Sequence, residues 1–465
     1  MTLYISTRGN SPAVDFATAT LNGLAPDGGL YMPQSLPFYS PKEWQEMAKL
    51  SYQELAHRLL LPFVGDCIAS ARLEELISAA YQGFPVAGAP LVQLDRDQWL
   101  LELYRGPTLA FKDYALQLLG QIFRELLSQR GEKLVLLGAT SGDTGAAALA
   151  AIAGQAGLGI TILHPHERVS SIQRRQMTTL DADNIRNIAV KGSFDDCQDI
   201  VKALFADQEL RQTLPLSSVN SINWARVMAQ IVYYASSALS LGAPERTINY
   251  CVPSGNFGNV LAGYLAKSMG LPIERLVVAS NKNDILHRMI SHNDTSMNAV
   301  VPTLSPSMDI QVSSNFERLL YLLNDRDGVR TAAAIAGMRD GSLQGLDQEI
   351  YQKMRMTFRA GMVDDQETLQ EIQYIAQSTG LVIDPHSAIA TKTARLHRKG
   401  TMVALATAHS AKFPDAMKSA LGVTTALPSS AAGIMQKEEK FEVLSNSAEL
   451  VKNHLLQEFA KYVRS

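Results

Sequence analysis

From Pro90 onward, short apolar strands alternate with helical segments, and this alternation restricts the fold more than any other feature of the sequence. The candidate strands are Lys133–Leu137, Ile160–Leu163, Asn187–Val190, Thr247–Val252, Leu276–Ala279 and Met402–Ala406. Strands that are separated by helices form parallel sheets whose faces the helices cover. We therefore predict an α/β fold, in which ligands bind at the carboxyl ends of the strands.

The first ninety or so residues have a different pattern. GLAPDGGLYMP (Gly23–Pro33) is rich in turn residues, and helical patterns run from Pro41 to about Leu61 and from Arg72 to Gln82. The 465 residues fit two or three domains. We predict a mostly helical N-terminal domain over residues 1–90, a smaller α/β domain over 91–235 and a larger α/β domain over 236–465. The best loop candidates are Ser291–Pro306 and Pro428–Glu438.

Charge and cysteine content restrict the partners and the compartment. The chain has 42 basic and 45 acidic residues without a basic stripe, which argues against nucleic acid as a partner. Three cysteines lie far apart in sequence and form no CxxC pair, so we expect neither a metal site nor a disulfide framework. A reducing cytoplasm is the predicted location.

One segment, Gly145–Leu163, has the nominal length of a membrane span. Eleven of its nineteen residues are Gly or Ala, and Gly154, Gly157 and Gly159 interrupt its second half. We predict a tightly packed helix, a turn and a buried strand here, and no membrane partner. The N-terminus, MTLYISTRGN, carries no readable signal peptide.

Two glycine-containing turns follow candidate strands, where this architecture places active sites. GATSGDTGAA opens an Ala-rich helix, and its backbone N–H groups with the hydroxyls of Thr140, Ser141 and Thr144 suit a carboxylate or a phosphate. The alternative is a simple helix start that is capped by Ser141 or Asp143. VPSGNFGN (Val252–Asn259) is a good phosphate cradle, although a glycine-rich connection without a ligand explains its spacing almost as well.

Two single residues complete the candidates. Thr407 follows the strand Met402–Ala406, and its hydroxyl is suited either to bind a ligand or to cap the next turn. Lys112 lies in the apolar segment GPTLAFKDYALQLLG, where desolvation would lower the pKa of its amine and favour Schiff-base chemistry. The alternative for Lys112 is a surface lysine that is paired with Asp113.

Seven motifs occur in the order that is found in threonine synthases. They are GPTLAFKD, TSGDTG, RRQMTTL (Arg174–Leu180), FDDCQ (Phe194–Gln198), NSINWAR (Asn220–Arg226), SGNFGN and TAHSAKFPDA (Thr407–Ala416). YISTRG and GLAPDGGLYMP resemble the opening segment of that family too. The chain resembles the longer, bacterial and fungal branch of these fold-type II pyridoxal-phosphate enzymes. The resemblance implies two parallel-sheet α/β domains and a mostly helical N-terminal segment.

The resemblance also implies a reaction, in which O-phospho-L-homoserine and water become L-threonine and phosphate. Lys112 would hold pyridoxal 5′-phosphate and move protons of the substrate. The other residues implied for the cofactor are Gly255, Asn256, Phe257, Gly258 and Asn259 for its phosphate and Thr407 for its pyridine nitrogen. The residues implied for the substrate are Thr140, Ser141, Asp143 and Thr144 for its carboxylate end and Asn220, Ser221 and Arg226 for its phosphate. A metal ion is not implied, and we expect a monomer or a small homo-oligomer.

Alternatives to this function remain open from the sequence. A related enzyme that eliminates at Cβ of serine or threonine would not need a second phosphate receptor, which Ser221 and Arg226 supply. Without the resemblance, Arg226 would be interpreted as part of a surface ion pair on a helix over Trp224–Ser240. A non-catalytic paralogue that binds pyridoxal phosphate is favoured only by Arg105, which stands before GPT where the family commonly has a titratable histidine.

Overall fold

The fold was obtained as a computed structural model, which describes residues 2–86 and 88–464, and residues 460–464 only as backbone. Met1, Ala87 and Ser465, which belong to the predicted domains 1–90 and 236–465, lie outside the described residues. The strands are β1 (Tyr4–Ser6), β2 (Tyr31–Pro33), β3 (Leu91–Gln93), β4 (Gln98–Glu102), β5 (Leu134–Ala139), β6 (Leu158–Pro165), β7 (Ile185–Lys191), β8 (Leu216–Ser218), β9 (Ile248–Pro253), β10 (Ile273–Ser280), β11 (Phe358–Met362), β12 (Thr401–Ala406) and β13 (Glu442–Ser445).

The helices follow the same chain order. They are α1 (Phe16–Asn22), α2 (Pro41–Met47), α3 (Tyr52–Val64), α4 (Ser70–Tyr81), α5 (Lys112–Arg130), α6 (Asp143–Ile152), α7 (Ser171–Thr178), α8 (Phe194–Ala206), α9 (Gln208–Thr213), α10 (Trp224–Ser240), α11 (Gly258–Ser268), α12 (Ile285–His292), α13 (Phe316–Leu323), α14 (Gly328–Asp340), α15 (Gln348–Thr357), α16 (Asp365–Thr379), α17 (Pro385–Leu396), α18 (Pro414–Leu421), α19 (Ser429–Ala432) and α20 (Ala448–Arg464).

The chain forms two compact units, each assembled from separate stretches of sequence. Unit 1 comprises Met1–Glu75, Phe84–Arg105 and Ser221–Thr425, and unit 2 comprises Leu76–Gly83, Gly106–Asn220 and Ala426–Ser465. Contacts between residues that are distant in sequence decide this division, so local periodicity does not reveal it. The three-domain division of the sequence stays a prediction.

Unit 1 contains a six-stranded sheet in the order β11-β10-β9-β12-β4-β3, parallel except for β3, which pairs antiparallel with β4. The helix α17 packs on β9 and β12 over a core that includes Cys251, Ile389 and Met402. Because β10, β9 and β12 are adjacent and parallel, the residues after Ser280, Pro253 and Ala406 emerge at the same edge of the sheet. This edge therefore collects the SGNFGN loop and Thr407, as the strand pattern predicts.

The N-terminal residues form the predicted helices, the first of which is divided into α2 and α3, and an unpredicted small sheet. α2 and α3 each begin with a capping box, formed by Ser40 with Glu43 and by Ser51 with Glu54, which satisfies N–H groups at the helix start. β1 pairs antiparallel with β2, which forms the end of the turn-rich segment Gly23–Pro33. The prediction of a mostly helical segment is therefore correct except for this pair of strands.

Unit 2 contains the parallel sheet β13-β7-β6-β5-β8. Every residue of β6 is buried, which explains why its sequence, LGITILHP, is mostly apolar rather than alternating. The Ala-rich α6 packs closely against α5, where a Cβ atom on Gly120 would lie 2.5 Å from the carbonyl oxygen of Ala151. The segment Gly145–Leu163 is thus a helix, a turn and a buried strand, as predicted.

The six predicted strands correspond to β5, β6, β7, β9, β10 and β12, with ends that differ by up to three residues. The prediction of a loop over Pro428–Glu438 is wrong in part, because α19 and a 3₁₀ turn over Gly433–Met435 lie within it. Among the described residues, none of the helices combines the length and the apolar character that crossing a membrane requires.

Candidate active site

Lys112 is the first residue of α5 and lies in unit 2, where only 8% of its surface is exposed. Its Nζ atom lies 3.3 Å from Oδ2 of Asp143 and 5.2 Å from the ring centre of Phe111. The alternative of a surface lysine paired with Asp113 is wrong, because Lys112 is buried and its ion pair is with Asp143. The structure thus joins two residues that the sequence singled out for different reasons.

Asp113 has a different role, because it fixes the conformation of the segment before Lys112. Its carboxylate accepts hydrogen bonds from the N–H (2.9 Å) and the hydroxyl (2.6 Å) of Thr108. A Cβ atom on Gly106 would lie 2.4 Å from this carboxylate, so only glycine fits there. Leu109 has a φ of +60°, a conformation that costs a non-glycine residue on the order of 1 kcal/mol or more. Residues within the GPTLAFKD motif therefore contact one another and fix the backbone that precedes Lys112.

The second oxygen of Asp143 is held by α7. Nε2 of Gln173 donates to Oδ1 of Asp143 at 2.9 Å, and Nε2 of Gln176 donates to the carbonyl of Thr108 at 2.9 Å. Both of these glutamines are buried. The helix α7 therefore orients the partner of Lys112 and the segment that precedes Lys112, a role that the sequence reasoning missed.

The TSGDTG turn begins α6 without either of the caps that the sequence suggests. The N-cap residue is Gly142, which has a φ of +145° and makes no side-chain cap bond. Oγ1 of Thr140 accepts from the N–H groups of Gly142 (3.0 Å) and Gly145 (2.9 Å) instead. The alternative in which Ser141 or Asp143 caps the helix is therefore wrong, and Thr140 holds the shape of the turn. Thr144 and Ser141 are half-buried.

In the SGNFGN loop of unit 1, the carbonyl groups of Gly255 and Asn256 have hydrogen-bond partners outside the loop. Oγ of Ser313 donates to the carbonyl of Gly255 at 2.7 Å, and the backbone N–H and Nδ2 of Asn315 donate to that of Asn256 at 3.1 Å each. Phe257 has a φ of +61° and provides no side-chain cap for α11. The first turn of α11 is therefore open to an anion, the geometry that a phosphate requires.

Asn259 provides a test of whether these residues fit a bound phosphate. Its side chain is 5% exposed, and its Oδ1 accepts from the hydroxyls of Tyr233 (2.7 Å) and Tyr234 (2.9 Å). Among the described residues, its Nδ2 has no hydrogen-bond partner. A buried donor without an acceptor is costly, and an anion at the start of α11 would supply one. The donor set of this loop thus fits a phosphate group.

Thr407 is buried directly after β12. The next turn, Ser410–Lys412, is capped by His409, whose Nδ1 accepts from the N–H of Ala411 at 3.1 Å. The alternative in which Thr407 caps this turn is therefore wrong. The backbone N–H of Thr407 donates to Oγ of Ser387 at 3.3 Å.

The NSINWAR segment brings Asn220, Ser221 and Arg226 to the start of α10. Asn220 is exposed, Ser221 is half-buried, and Arg226 is 4% exposed. Burial lowers the pKa of the Arg226 guanidinium to about 10. The alternative of a surface ion pair for Arg226 is wrong, because this side chain lies inside unit 1.

Arg105, the departure from the family pattern, is half-exposed in unit 1. Its Nε donates to Oε2 of Glu102 at 2.8 Å, and its guanidinium lies 5.2 Å from the ring centre of Tyr104. Its positive charge contributes to lowering the pKa of His409, although desolvation of that ring is the larger cause. A carboxylate and an aromatic ring thus fix the orientation of the arginine.

Three family models match successive parts of the chain. "Threonine synthase N terminus" matches residues 3–81, "Pyridoxal-phosphate dependent enzyme" matches 84–351, and "Threonine synthase, C-terminal" matches 387–455. The threonine synthase of Pseudomonas aeruginosa is 48% identical over 95% of this chain and 96% of its own length.

The chain belongs to the threonine synthase family of pyridoxal-phosphate dependent enzymes.

Solved structures of threonine synthases agree with this assignment. A threonine synthase of Brucella melitensis, described as bound to PLP, is 45% identical and superimposes over 100% of both chains with a TM-score of 0.96. The yeast threonine synthase is 36% identical over 99% of both chains, with a TM-score of 0.92. The predicted fold class, of fold-type II pyridoxal-phosphate enzymes, is therefore confirmed, and pyridoxal phosphate is the cofactor of the family.

The sequence analysis did not identify several residues whose hydrogen bonds hold the candidate site residues, or the segments that carry them, in place. They are Gln173 and Gln176 on α7, Ser313 and Asn315 beside the SGNFGN loop, and Asp384, His386 and Ser387 at the start of α17. One signal was available for the last group, since Asp-Pro in DPHSAIA is typical of a helix start. The other contacts join segments that lie far apart in sequence.

Proposed function

We propose that this chain converts O-phospho-L-homoserine and water to L-threonine and phosphate. The observation that carries the proposal is a lysine, Lys112, buried at the start of a helix in a chain that matches threonine synthases from end to end. The buried Arg226 favours a phosphorylated substrate over the serine or threonine of a β-eliminating relative.

The cofactor would be held by residues that we assign one by one. In unit 2, Lys112 would attach it covalently. In unit 1, the N–H groups of Gly255–Asn259 would bind its phosphate, and the Thr407 hydroxyl would meet its ring nitrogen. The bound cofactor withdraws electrons from the substrate, which is chemistry that side chains do not supply.

Lys112 is the group to which we assign proton transfer at Cα and Cβ of the substrate. Its amine lies 3.3 Å from the Asp143 carboxylate, which is fixed by Gln173. A carboxylate at this distance limits the positions that the amine adopts. Asp143 therefore acts on Lys112, in addition to the role toward the substrate that the family resemblance implies.

The substrate has two anionic ends, and we assign a receptor to each. The start of α6, with Thr140, Ser141 and Thr144, would receive the carboxylate through its hydroxyl groups and through those backbone N–H groups that Thr140 does not bind. Asn220, Ser221 and Arg226 would receive the phosphate. Negative charge accumulates on that group as the Cγ–O bond breaks, so a buried guanidinium lowers the barrier as well as binding the substrate.

Two further assignments belong to this proposal. We place the enzyme in the cytoplasm, on its cysteine content, and we expect a monomer or a small homo-oligomer. Cell fractionation and light scattering of the purified protein would test them.

The test of the proposed reaction is product analysis with a matched variant. The wild-type protein should release phosphate and form threonine from O-phospho-L-homoserine, and it should form little oxoacid from threonine. Lys112→Ala should abolish turnover, because it removes both the cofactor attachment and the proton carrier. Lys133→Ala, at the turn before β5, is the control and should retain full activity. Oxoacid as the main product, or turnover in Lys112→Ala within tenfold of wild type, would contradict the proposal.

A further inference from the structure

A buried polar network connects the start of α17 with the two cofactor-binding elements that we assign in unit 1. Asp384 caps α17, and its carboxylate is fully buried. Oδ2 accepts from Nδ1 of His386 at 2.7 Å, and Oδ1 accepts from the hydroxyl and the N–H of Ser387. Both side chains that Asp384 orients are also buried.

The first branch of the network leads to the SGNFGN loop. Nε2 of His386 accepts from the backbone N–H of Ser307 at 3.3 Å. The carbonyl oxygen of Ser307 lies so close to Gly255 that a Cβ atom there would be 2.7 Å from it. His386 therefore fixes the backbone segment against which Gly255 packs.

The hydrogen-bond partners of His386 also indicate which of its ring nitrogens carries a proton. Nδ1 faces the Asp384 carboxylate and so carries the proton, while Nε2 faces an N–H donor and so has none. The ring thus serves as a rigid link between a carboxylate and a backbone N–H group.

The second branch leads to Thr407. The hydroxyl of Ser387 donates to Asp384 and accepts from the backbone N–H of Thr407 at 3.3 Å. Thr407 immediately follows β12, so this bond fixes the direction in which the strand end presents its side chain.

Helix capping by itself does not account for this arrangement. A cap needs an acceptor for N–H groups in the first turn, which Asp384 provides for His386 and Ser387. Asp384 also accepts from Nδ1 of His386 and from the hydroxyl of Ser387, which leaves Nε2 of His386 and Oγ of Ser387 as acceptors. These two atoms bind different segments at the carboxyl edge of the sheet, through the N–H groups of Ser307 and Thr407.

We propose that His386 and Ser387 are positioning residues of the cofactor site, with His386 acting on the phosphate loop, Ser387 acting on Thr407, and Asp384 orienting both. This inference rests on the proposed assignment of the cofactor phosphate to Gly255–Asn259 and of its ring nitrogen to Thr407. It predicts that the two branches affect different parts of the bound cofactor.

The phosphate branch is tested by a pair of substitutions in the full-length holoenzyme. The amide of Asn at position 386 can replace Nδ1, whereas the amide of Gln can replace Nε2. His386→Asn should therefore lose the bond to Ser307, weaken the affinity for pyridoxal phosphate about five-fold and shift the phosphorus NMR signal of the bound phosphate. His386→Gln should change the affinity less than about two-fold. His287→Asn, on α12, is the control and should change neither quantity.

The ring branch is tested by Ser387→Ala, which removes the acceptor for the Thr407 N–H group. This variant should shift the visible absorbance band of the bound cofactor and leave the phosphorus NMR signal unchanged. His386→Asn should do the reverse. If His386→Asn does not fold, the unequal effect of Ser387→Ala on the two signals still decides the question. Equal changes in both signals, or lowered thermal stability with neither signal changed, would overturn the inference.

A control separates this inference from the proposed function. Gly258→Ala places a methyl group at the start of α11 and should weaken cofactor binding if the loop holds the phosphate. Unchanged binding in Gly258→Ala would mean that the cofactor assignment fails. Weakened binding in Gly258→Ala without any effect of the substitutions at 386 and 387 would mean that only the positioning roles fail.

Discussion

The burial of Arg226 lowers the free energy of unfolding at every physiological pH. Desolvation lowers the pKa of its guanidinium to about 10, so the charged form is less stable in the folded protein than in the unfolded chain. For a base whose folded pKa is lowered, this cost is fully present below the folded pKa and is relieved only as the pH rises above it. Ionisable groups whose pKa is strongly shifted by burial are typical of functional sites.

We expect Arg226→Lys to reduce kcat/KM for O-phospho-L-homoserine at least about tenfold, or roughly 1.4 kcal/mol of lost transition-state stabilisation. The guanidinium gives two parallel donors to a phosphate, a geometry that an ammonium does not reproduce. Steady-state kinetics of phosphate release would measure this effect. Arg246→Lys, an exposed change beyond the end of the same helix, is the control and should have no effect. Loss of the cofactor in Arg226→Lys would instead mean that our assignment of the phosphate receptor is wrong.

At the scale of elements, the start of α6 depends on a side chain outside the helix. Thr140 accepts from two backbone N–H groups in the turn before α6 and in its first turn. Thr140→Val keeps the shape of the side chain and removes the acceptor, so it should lower the free energy of unfolding by about 1–3 kcal/mol. Thr140→Ser keeps the oxygen and should lower it by less than about 1 kcal/mol. Urea unfolding would measure both values, and equal effects of the two substitutions would exclude this capping role.

The helix α7 is held from the other side by the C-terminal segment of unit 2. Nε and Nη2 of Arg174 donate to Glu439 at 2.8 and 2.9 Å, and the Thr178 hydroxyl donates to the same carboxylate at 2.8 Å. The Arg174 bond, as the largest cause, lowers the pKa of Glu439. A carboxyl group whose folded pKa is lowered contributes stability above its unfolded pKa and loses that contribution as the pH falls through the folded pKa.

Glu439→Gln should therefore lower the free energy of unfolding at neutral pH, and the difference from wild type should disappear as the pH falls below about 4. Urea unfolding at a series of pH values would measure this dependence. Glu449→Gln, an exposed substitution on α20, should show no such dependence. A difference that persists unchanged at low pH would show that the carboxylate charge is not what stabilises α7.

These elements also show which features of the fold and of the candidate site could be predicted from the sequence. Strands such as β6 and β9 are mostly apolar, and a turn motif after a strand is a local signal, so both were predictable. The pairing of Lys112 with Asp143 was not, because Asp143 lies on another helix and is oriented by Gln173 from a third. Likewise, β13 lies at an exposed edge with a mostly exposed sequence, and only its pairing with β7 identifies it as a strand.

At the scale of the whole molecule, the chain returns to unit 2 after completing unit 1. Residues 426–465 supply β13 and α20, and Val451, Leu455 and Phe459 of α20 complete the core of unit 2. The position of Phe459 also explains Gly159, where a Cβ atom would lie 2.5 Å from the phenylalanine ring. The C-terminal segment is therefore part of the core of unit 2, although the rest of that unit precedes it by more than two hundred residues.

Separate cores predict separate effects of core substitutions. Leu455 is fully buried in the core of unit 2, whereas Leu450 on the same helix is 45% exposed. Leu455→Ala should lower the free energy of unfolding of unit 2 by about 2–5 kcal/mol, because it removes buried methyl groups and leaves a cavity. Leu450→Ala is the matched control, with an expected effect within about 0.5 kcal/mol.

Spectroscopic probes distinguish the units, because all three tryptophans, Trp44, Trp99 and Trp224, lie in unit 1. In urea, Leu455→Ala should move part of the far-UV circular dichroism transition to lower denaturant concentration and leave the tryptophan fluorescence transition near its wild-type midpoint. A common shift of both transitions would mean that the two units unfold as one cooperative structure, in which case the loss of one core destabilises the entire chain.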